Sequence, residues 1–334
     1  MTPKLCFDDI LLLPKHSTLE SRTKPDISIL LGGIMKLSVP IISSPMDSIT
    51  GKEMLVAMDD AGGVGVLSRY INLPEDQELY RQCAEIGWAR DNGAQNVGCA
   101  VGVKKDVYRT ASKLLDVGCN LICVDIAHGD HTKMYKSLRE LDKLRGKYSF
   151  VLMAGNVCIP EAAQRFASEG VNTVKVGIGP GAVCTTRTTT GFGMPQLSAI
   201  MECAHATRDY NVAIVADGGL RTSGDMVKAL WGGAKACMIG WMLAGTSHTP
   251  DIDGHKVYRG MSSRSASGRM DIAPEGIEIP MDYKGSTDEV VREYANGIRS
   301  GLAMGGARDI QELRNVEHIL VTPLSIKESH PHKE

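Results

Sequence analysis

VAIVADGGLRTSGDMVKALWGGAKACMIG (212–240) is the stretch that decides the fold. Two short apolar runs, VAIVAD and ACMIG, flank the polar, periodic segment SGDMVKALWGG (223–233). Continuous apolar runs of this length are typical of strands buried on both faces, as a parallel sheet requires. The segment between them begins with Ser and ends with Gly, which are helix start and stop signals. The stretch therefore predicts one strand–helix–strand unit.

The same alternation runs along the rest of the chain. Most of the short apolar runs end in Gly, Ser, Asp or Asn, and polar segments separate them. We predict eight strands: VPIISS (39–44), GVGVLS (63–68), NVGCAV (96–101), NLICVD (120–125), FVLMAG (150–155), NTVKVG (172–177), VAIVAD (212–217) and ACMIG (236–240). We predict helices over 74–93, 106–118, 132–146, 160–170, 223–233 and about 286–303.

Eight alternating units in one chain indicate an α/β fold, a single (β/α)8 TIM barrel that occupies residues 1–334. A doubly wound parallel sheet is the alternative. Loops that follow barrel strands carry the active site, and two such loops are extended, 177–196 and 259–276. We expect both to contact substrate, and a polar C-terminal tail covers 321–334.

Composition and charge exclude several classes of protein. Of 334 residues, 43% are hydrophobic, which is enough for a large core. The 37 basic and 39 acidic residues give a net charge of −2 and only 5% are aromatic, so no nucleic-acid footprint is present. No apolar run approaches the ~18 residues of a membrane span, and the N-terminus lacks a signal-peptide layout. Because nine scattered cysteines do not suggest a disulfide framework, we expect a soluble, reduced, cytoplasmic protein.

The loop GIGPGAVCTTR (177–187) carries the strongest chemical signal. Its glycines free the backbone, Pro180 stiffens it, and Cys184, Thr185 and Thr186 offer a thiol and two hydroxyls. A cysteine acts as a nucleophile only as the thiolate, which needs exposure and positive or dipolar surroundings. We therefore predict that Cys184 is a nucleophile and that the other eight cysteines are small packing residues.

Other strand ends bring polar groups to the same face. VADGG (215–219) suits a phosphate site built from backbone N–H groups, with Asp217 as an acceptor for ribose hydroxyls, although a simple turn is the alternative for DGG. Asp125 in DIAHG and Asn156 in AGNV end two further strands, so we expect both in one mouth with Cys184. No group of His, Cys, Asp and Glu has the spacing of a zinc site.

Together these motifs resemble one known family. FDDILLLP (7–14), SSPMD (43–47), VGIGPGAVCTTR (176–187), ADGG (216–219) and YRGMSS (258–263) occur in the order typical of the IMP dehydrogenase/GMP reductase family. The similarity covers nearly the whole chain, and the GPGxxCTTR loop is highly specific. It implies a TIM-barrel enzyme that acts on a purine mononucleotide with a nicotinamide cofactor.

The resemblance implies a role for each matching position. Cys184 would attack C2 of the nucleotide to form a thioimidate, and Thr186 with Glu275 would handle protons. The implied substrate-binding residues are Ser44, Asp217, Gly218, Gly219, Gly240, Trp241, Tyr258, Gly260, Met261, Ser262, Glu275 and Gly276. The implied cofactor-binding residues are Ser21, Arg22, Arg69, Asp125, Ile126, Ala127, Asn156, Ile178 and Gly179. An implied K⁺ site uses Gly179, Gly181, Cys184, Glu328, Ser329 and His330, and the family implies a homotetramer.

The flap after YRGMSS distinguishes the two activities of the family. The resemblance implies that the dehydrogenases hydrolyse their intermediate with an Arg–Tyr pair on a long flap, whereas only RSASGRMDIA (264–273), without tyrosine, follows Ser263 here. The reductase needs no water. We therefore expect NADPH-dependent conversion of GMP to IMP and ammonia, and the lack of a CBS insertion between the second and third strands agrees.

Other features favour the alternative, oxidation of IMP to XMP with NAD. The tail ESHPH (328–332), SSPMD and GGVGVLSRY (62–70) resemble the dehydrogenases. Two positions depart from both patterns, since Ala182 replaces a phosphate-binding serine and Trp241 stands where Ser or Gly is usual. A variant (deoxy)purine nucleotide substrate and a catalytically silent nucleotide-binding protein are the further hypotheses that these departures raise.

Overall fold

Strands and helices alternate through the described part of the chain. The computed structural model describes residues 3–69, 75–268, 271, 273–325 and 328. The strands are β1 (Ile10–Leu12), β2 (Ile29–Leu31), β3 (Met35–Leu37), β4 (Ile41–Ser43), β5 (Val64–Leu67), β6 (Val97–Val101), β7 (Leu121–Asp125), β8 (Val151–Val157), β9 (Thr173–Val176), β10 (Ala213–Asp217), β11 (Ala236–Ile239), β12 (Val257–Arg259), β13 (Glu278–Pro280) and β14 (His318–Leu320). The helices are α1 (Lys52–Asp60), α2 (Glu75–Asp91), α3 (Val107–Asp116), α4 (Thr132–Asp142), α5 (Pro160–Ser168), α6 (Thr186–Thr190), α7 (Gln196–Ala206), α8 (Ser223–Trp231), α9 (Arg264–Ser267), α10 (Thr287–Met304) and α11 (Ile310–Leu313).

Strands β4 to β11 close into a parallel barrel in sequence order. The last strand, β11, pairs with the first, β4, where Cys237 lies opposite Ile41 and Ile239 opposite Ser43. All eight predicted strands are therefore confirmed, and so is the (β/α)8 barrel. The doubly wound alternative is wrong, because a closed barrel has no sheet edge.

The barrel strands are buried on both faces. Every residue of β4, β5, β6, β9 and β11 is buried. The outer helices present one apolar stripe each to these strands, as in α3, where Val107, Ala111, Leu114 and Leu115 are the buried residues. The sequence runs lack polar–apolar alternation because both strand faces contribute to the hydrophobic core.

Helices cover the outside of the barrel. The six predicted helices correspond to α2, α3, α4, α5, α8 and α10, and the 132–146 segment ends in a 3₁₀ turn over Lys143–Gly146. Two more helices, α1 and α7, complete the alternation. Across the described ranges, no helix is long and apolar enough to cross a membrane.

Among the described residues, three small antiparallel sheets lie outside the barrel. They pair β1 with β14, β2 with β3, and β12 with β13. The last pair frames the predicted flap, because 259–276 connects Val257–Arg259 to Glu278–Pro280. The longest connection between two barrel strands runs from β9 to β10 and contains both the Cys184 loop and α6 and α7. Both extended loops therefore lie at the carboxyl ends of the strands.

A pair of glycines tests how tightly the segment after β11 is packed. Gly245 has φ +85°, and a Cβ there would lie 2.2 Å from the Asp282 carbonyl oxygen. Gly254 has a similar φ of +79°, but a Cβ there would meet nothing within 4 Å. We expect Gly254→Ala to lower the free energy of unfolding by about 1 kcal/mol, for the left-handed backbone alone. Gly245→Ala should cost roughly 3 kcal/mol, since overpacking is added.

Urea denaturation of the two variants measures the difference directly. Because the two glycines have similar φ angles, the backbone contributes equally to both losses of unfolding free energy. The difference between the two losses therefore reports the contact with Asp282. Equal losses of unfolding free energy in the two variants would contradict the close packing of this turn.

Candidate active site

A cavity of about 220 Å³ opens at the carboxyl ends of the barrel strands. Most of the predicted site residues line it: Ser44, Asp125, Ile126, Ala127, Asn156, Ile178, Gly179, Gly181, Cys184, Thr186, Asp217, Gly218, Gly240, Tyr258, Gly260, Met261, Ser262 and Glu275. Barrel closure brings these residues together, since they lie at or after the ends of six different barrel strands, namely β4, β7, β8, β9, β10 and β11. The expectation that Asp125 and Asn156 share a mouth with Cys184 is confirmed.

The Cys184 loop is shaped by glycines that cannot carry a side chain. A Cβ on Gly177 would lie 2.0 Å from the Asp217 carbonyl oxygen, so β9 and β10 end in close backbone contact. Gly179 and Gly193 both pack on the Arg187 side chain, where a Cβ would approach within 2.5 and 2.7 Å. The Arg187 guanidinium donates to the Met194 carbonyl and so fastens the two halves of the loop. These contacts explain the glycine-rich sequence.

Cys184 begins a chain of hydrogen bonds that ends at a carboxylate. Its Sγ lies 3.2 Å from Thr186 Oγ1, and Thr186 Oγ1 lies 2.6 Å from Glu275 Oε2. Backbone contacts hold the flap against the loop. Thr185 N–H donates to the Glu275 carbonyl at 3.1 Å, and Cys184 forms an isolated antiparallel β-bridge with Gly276. The arrangement can pass a proton from a thiol through a hydroxyl to a carboxylate.

A lysine that the sequence analysis did not select lies at the centre of the site. Lys175, on β9, is buried, and its Nζ lies 2.8 Å from Asp125 Oδ1 and 2.7 Å from Asp217 Oδ2. Burial alone would lower the pKa of Lys175, but the charges of Asp125 and Asp217 outweigh it and raise that pKa. The signal was present in NTVKVG (172–177), where one lysine interrupts an apolar strand.

A second cavity of about 230 Å³ adjoins the first. The two share Pro180, Gly181, Gly218, Met238, Gly240 and Tyr258. Gly219 and Trp241 line only the second cavity, as does Ala182. The predicted substrate-binding set is therefore divided between two adjoining spaces, one at Cys184 and one beyond Gly218.

Trp241 and Tyr258 form one wall of the second cavity. Their rings meet edge to face, with centroids 5.6 Å apart and an interplanar angle of 71°. Burial raises the pKa of the Tyr258 phenol, so this hydroxyl stays protonated. A Cβ on Gly240 would lie 2.9 Å from the Tyr258 oxygen, which explains why glycine occupies that position. This wall therefore presents the Tyr258 hydroxyl and the backbone at Gly240 rather than a charged side chain.

The predicted cofactor-binding residues fall into two groups. Arg69 lies beside the site, where its Nε donates to the Asp125 carbonyl at 3.1 Å, and Asp125, Ile126, Ala127, Asn156, Ile178 and Gly179 line the cavity. Ser21 and Arg22 do not line it, and Ser21 Oγ instead lies 3.0 Å from Thr23 Oγ1. Their expected contact with a neighbouring subunit's cofactor stays a prediction.

Part of the predicted K⁺ site can be located. Gly179, Gly181 and Cys184 lie on one loop, and the Gly181 carbonyl accepts from Cys184 N–H at 3.1 Å. Glu328 is exposed, while Ser329 and His330 lie outside the described residues. Among the residues that the structure describes, no group of three or more His, Cys, Asp and Glu side chains could hold a metal ion.

Most of the remaining cysteines are more deeply buried than Cys184. Cys99, Cys119, Cys123, Cys203 and Cys237 are buried, as expected of packing residues. Burial raises the pKa of Cys119 and of Cys203 to about 12, which disfavours the thiolate. Cys83 and Cys158 are half-buried, and Cys6 is exposed, so the expectation that all eight are packing residues is wrong for Cys6.

Larger spaces also lie outside the mouth that surrounds Cys184. A groove of about 800 Å³ separates α2 from α3, and another of about 640 Å³ lies beside the β2–β3 hairpin. Neither contains a predicted site residue. Position in the barrel, rather than cavity size, therefore identifies the candidate site.

Comparison with known proteins gives consistent results. The family model described as "IMP dehydrogenase / GMP reductase domain" matches residues 4–332. The inosine-5'-monophosphate dehydrogenase of Cryptosporidium parvum is 32% identical over 98% of this chain and 94% of its own length, and that of Nitrosopumilus maritimus is 29% identical over 98% of each. The crystal structure of a cysteine-to-alanine variant of Trypanosoma brucei GMP reductase, in complex with guanosine 5'-monophosphate, superposes with a TM-score of 0.87 at 26% identity, covering 100% of this chain and 98% of that one.

The resemblance proposed from the motifs is thereby confirmed. The family model spans nearly the whole chain, and the relatives align over almost their full lengths. Relatives named for either activity are similar to this chain. The chain belongs to the IMP dehydrogenase/GMP reductase family and is a purine nucleotide oxidoreductase.

Proposed function

We propose that this protein catalyses the NADPH-dependent reductive deamination of GMP to IMP and ammonia. The observation that carries the proposal is the unbroken relay from Cys184 through Thr186 to Glu275, held by a short flap. Glu275 lies just after the flap segment 264–273, and its backbone pairs with Thr185. Reductive deamination needs a proton for the leaving amine, which this relay supplies, and it needs no activated water.

The first half of the reaction replaces the C2 amino group by sulfur. The Cys184 thiol proton passes through Thr186 to Glu275, and the thiolate bonds to C2 of GMP. The C2–N bond then breaks, and Glu275 returns the proton through Thr186 to the departing amine, which leaves as ammonia. The product of this half is a thioimidate between Cys184 and the purine.

The second half replaces sulfur by hydride. NADPH, when bound, would supply a hydride to C2 and become NADP⁺, so that the C2–S bond would break, IMP would form and the Cys184 thiolate would be regenerated. The thiolate then regains a proton from solvent. The chain's contribution is to hold C2 between Cys184 on one side and the nicotinamide ring on the other, because proximity and orientation dominate such a step.

We propose that the two adjoining cavities hold the mononucleotide. Asp217 accepts hydrogen bonds from the ribose hydroxyls. The 5′-phosphate extends past Gly218 toward Gly219 and Gly240 in the second cavity. The base edge lies against Gly260, Met261 and Ser262, with Ser44, Tyr258 and Gly276 nearby. Backbone N–H groups at the strand ends favour the phosphate's negative charge.

The cofactor and ion assignments follow from the same loops. We propose that Asp125 and Asn156 face the nicotinamide ribose, and that Ile126, Ala127, Ile178 and Gly179 bound the ring's space. The backbone carbonyls of Gly179, Gly181 and Cys184 are suited to K⁺, a cation that binds oxygen ligands, and a C-terminal tail from a neighbouring subunit of a homotetramer would complete the set. Such an ion would stiffen the Cys184 loop.

Oxidation of IMP to XMP with NAD is the second candidate. It is favoured by the relatives named inosine-5'-monophosphate dehydrogenase. That reaction must hydrolyse the thioimidate, which requires a base to activate water. Residues 264–273 contain no tyrosine for this purpose. The missing base places the dehydrogenase reaction second.

A direct assay distinguishes the two reactions. The protein is incubated with GMP and NADPH, and separately with IMP, NAD and KCl, and the reduced cofactor is followed by absorbance. We expect NADPH to be consumed with GMP. Reduction of NAD with IMP, without consumption of NADPH, would establish the dehydrogenase instead, and no change in either mixture would indicate a catalytically silent protein.

Removing either end of the relay should stop turnover. Cys184→Ala is expected to abolish activity because no covalent intermediate can form. Glu275→Gln should lower kcat by about 10²- to 10⁴-fold, the usual contribution of general acid–base catalysis. Glu278→Gln is the matched control, since Glu278 lies on the strand that follows the flap and pairs with Arg259 at 3.3 Å. Equal activity of the two Glu variants would exclude the relay.

The two departures from the family pattern should act on the phosphate. Ala182 and Trp241 line the second cavity, where Ala182→Ser adds a hydroxyl donor and Trp241→Ser removes an indole. A hydrogen bond to a charged group contributes about 1.5–3 kcal/mol, so Ala182→Ser should lower the KM for GMP by roughly tenfold or more. The KM for guanosine, which lacks phosphate, is the control and should not change in Ala182→Ser. An equal change in the KM for GMP and the KM for guanosine would show that these residues do not contact the phosphate.

A further inference from the structure

Lys175 connects the substrate and cofactor halves of the candidate site. It lies on β9, between β8, which carries Asn156, and β10, which ends at Asp217. Asp125 ends β7, two strands away. The Lys175 side chain is only 4% exposed and reaches along the barrel interior to carboxylates from both sides. A single buried cation therefore contacts three of the strands that form the mouth.

The Lys175 ammonium contacts three side-chain oxygens. It donates hydrogen bonds to Asp217 Oδ2 at 2.7 Å and to Asn156 Oδ1, and it forms an ion pair with Asp125 Oδ1 at 2.8 Å. Asn156 also donates to Asp217 Oδ2 at 2.9 Å and to the Gly177 carbonyl at 2.7 Å. The four side chains thus form one connected polar network in which every member has a fixed orientation.

The neighbouring sequence makes room for this network. Gly155 lies opposite Lys175 in the β8–β9 pairing, and a Cβ on Gly155 would lie 2.5 Å from the Lys175 Cβ. Any larger residue at this position would displace the lysine stem. The barrel interior at this level is therefore built around Lys175.

Each carboxylate keeps one oxygen for a ligand. Within the described ranges, the Lys175 ion pair engages Asp125 Oδ1, hydrogen bonds from Lys175 and Asn156 engage Asp217 Oδ2, and no hydrogen bond reaches Asp125 Oδ2 or Asp217 Oδ1. Both residues line the Cys184 cavity and are 17% and 19% exposed. A free carboxylate oxygen at a cavity wall is an acceptor for sugar hydroxyls.

We propose that Lys175 is a positioning residue that sets both ribose acceptors at once, so that one buried side chain determines affinity for the nucleotide and for the dinucleotide. The inference rests on the proposed function in taking Asp217 for the nucleotide ribose and Asp125 for the cofactor ribose. The inference holds whether the protein reduces GMP or oxidises IMP.

Electrostatics give the reason. Two carboxylates that share one neighbour repel each other when the cation is removed, so one must take up a proton or turn away. Protonation removes a hydrogen-bond acceptor for the ribose, and rotation of the carboxylate moves that acceptor out of alignment. Removing one partner of a buried ionic network leaves uncompensated charge, which perturbs the remaining members together. Loss of Lys175 therefore affects Asp125 and Asp217 jointly, whereas loss of either aspartate affects one ligand.

Steady-state kinetics of the full-length protein test this pattern. Asp217→Asn should raise the KM for GMP at least tenfold with little effect on that for NADPH, and Asp125→Asn should do the reverse. Lys175→Met and Lys175→Gln should each raise both KM values at least tenfold, with a smaller fall in kcat. A merely structural role would lower kcat through a smaller active fraction, measured by alkylation of Cys184, and leave both KM values unchanged.

A double variant covers the case in which Lys175→Met does not fold. Lys175→Met combined with Asp217→Asn removes one charge of each sign, and its KM for NADPH should still exceed that of Asp217→Asn alone by at least tenfold. A rise in only one KM in Lys175→Met and Lys175→Gln, or no further rise in the KM for NADPH in the double variant, overturns the inference. Should the wild-type protein turn over neither substrate pair, the proposed function fails separately, and calorimetric dissociation constants of GMP and NADPH on the same variants decide the role of Lys175.

Discussion

The chemistry of this protein depends on closure of the eight-stranded barrel. Closure places the carboxyl ends of β7, β8, β9 and β10 around one cavity, although their residues lie up to about ninety positions apart in the sequence. Asp125, Asn156, Cys184 and Asp217 meet only for this reason. The buried Lys175 then joins three of them into a single polar network. A barrel that opened between β7 and β10 would lose both the cavity and the network.

Most of the fold could be predicted from the sequence, because its determinants are local. Apolar runs such as VAIVAD and NLICVD have the length and composition of strands buried on both faces, and Gly or polar residues end them. The Cys184 loop was also predictable, since its glycines have no packing role that larger residues could share. A Cβ at Gly177, for example, would lie 2.0 Å from the Asp217 carbonyl oxygen.

Other features of the site depend on tertiary contacts that no local pattern shows. The Lys175 network joins residues from four strands, and a lone lysine in NTVKVG gives no information about its partners. Trp241 was assigned to the substrate site by resemblance, but only the structure shows that it lines a second cavity with Tyr258. Likewise, the sequence contains both Thr186 and Glu275, whereas the 2.6 Å contact between them depends on the flap returning to the Cys184 loop.

We propose that Cys184 exchanges the C2 amino group of GMP for a hydride. Mass spectrometry of the purine formed from GMP and NADPH that carries deuterium at both C4 positions, with ammonia measured in the same reaction, tests this exchange. We expect IMP that carries one deuterium at C2, with one ammonia released for each molecule of IMP formed. Ammonia accompanied by undeuterated XMP, or deuterium-free IMP, would contradict it, because C2 would then have reacted with water or not received the cofactor's hydride.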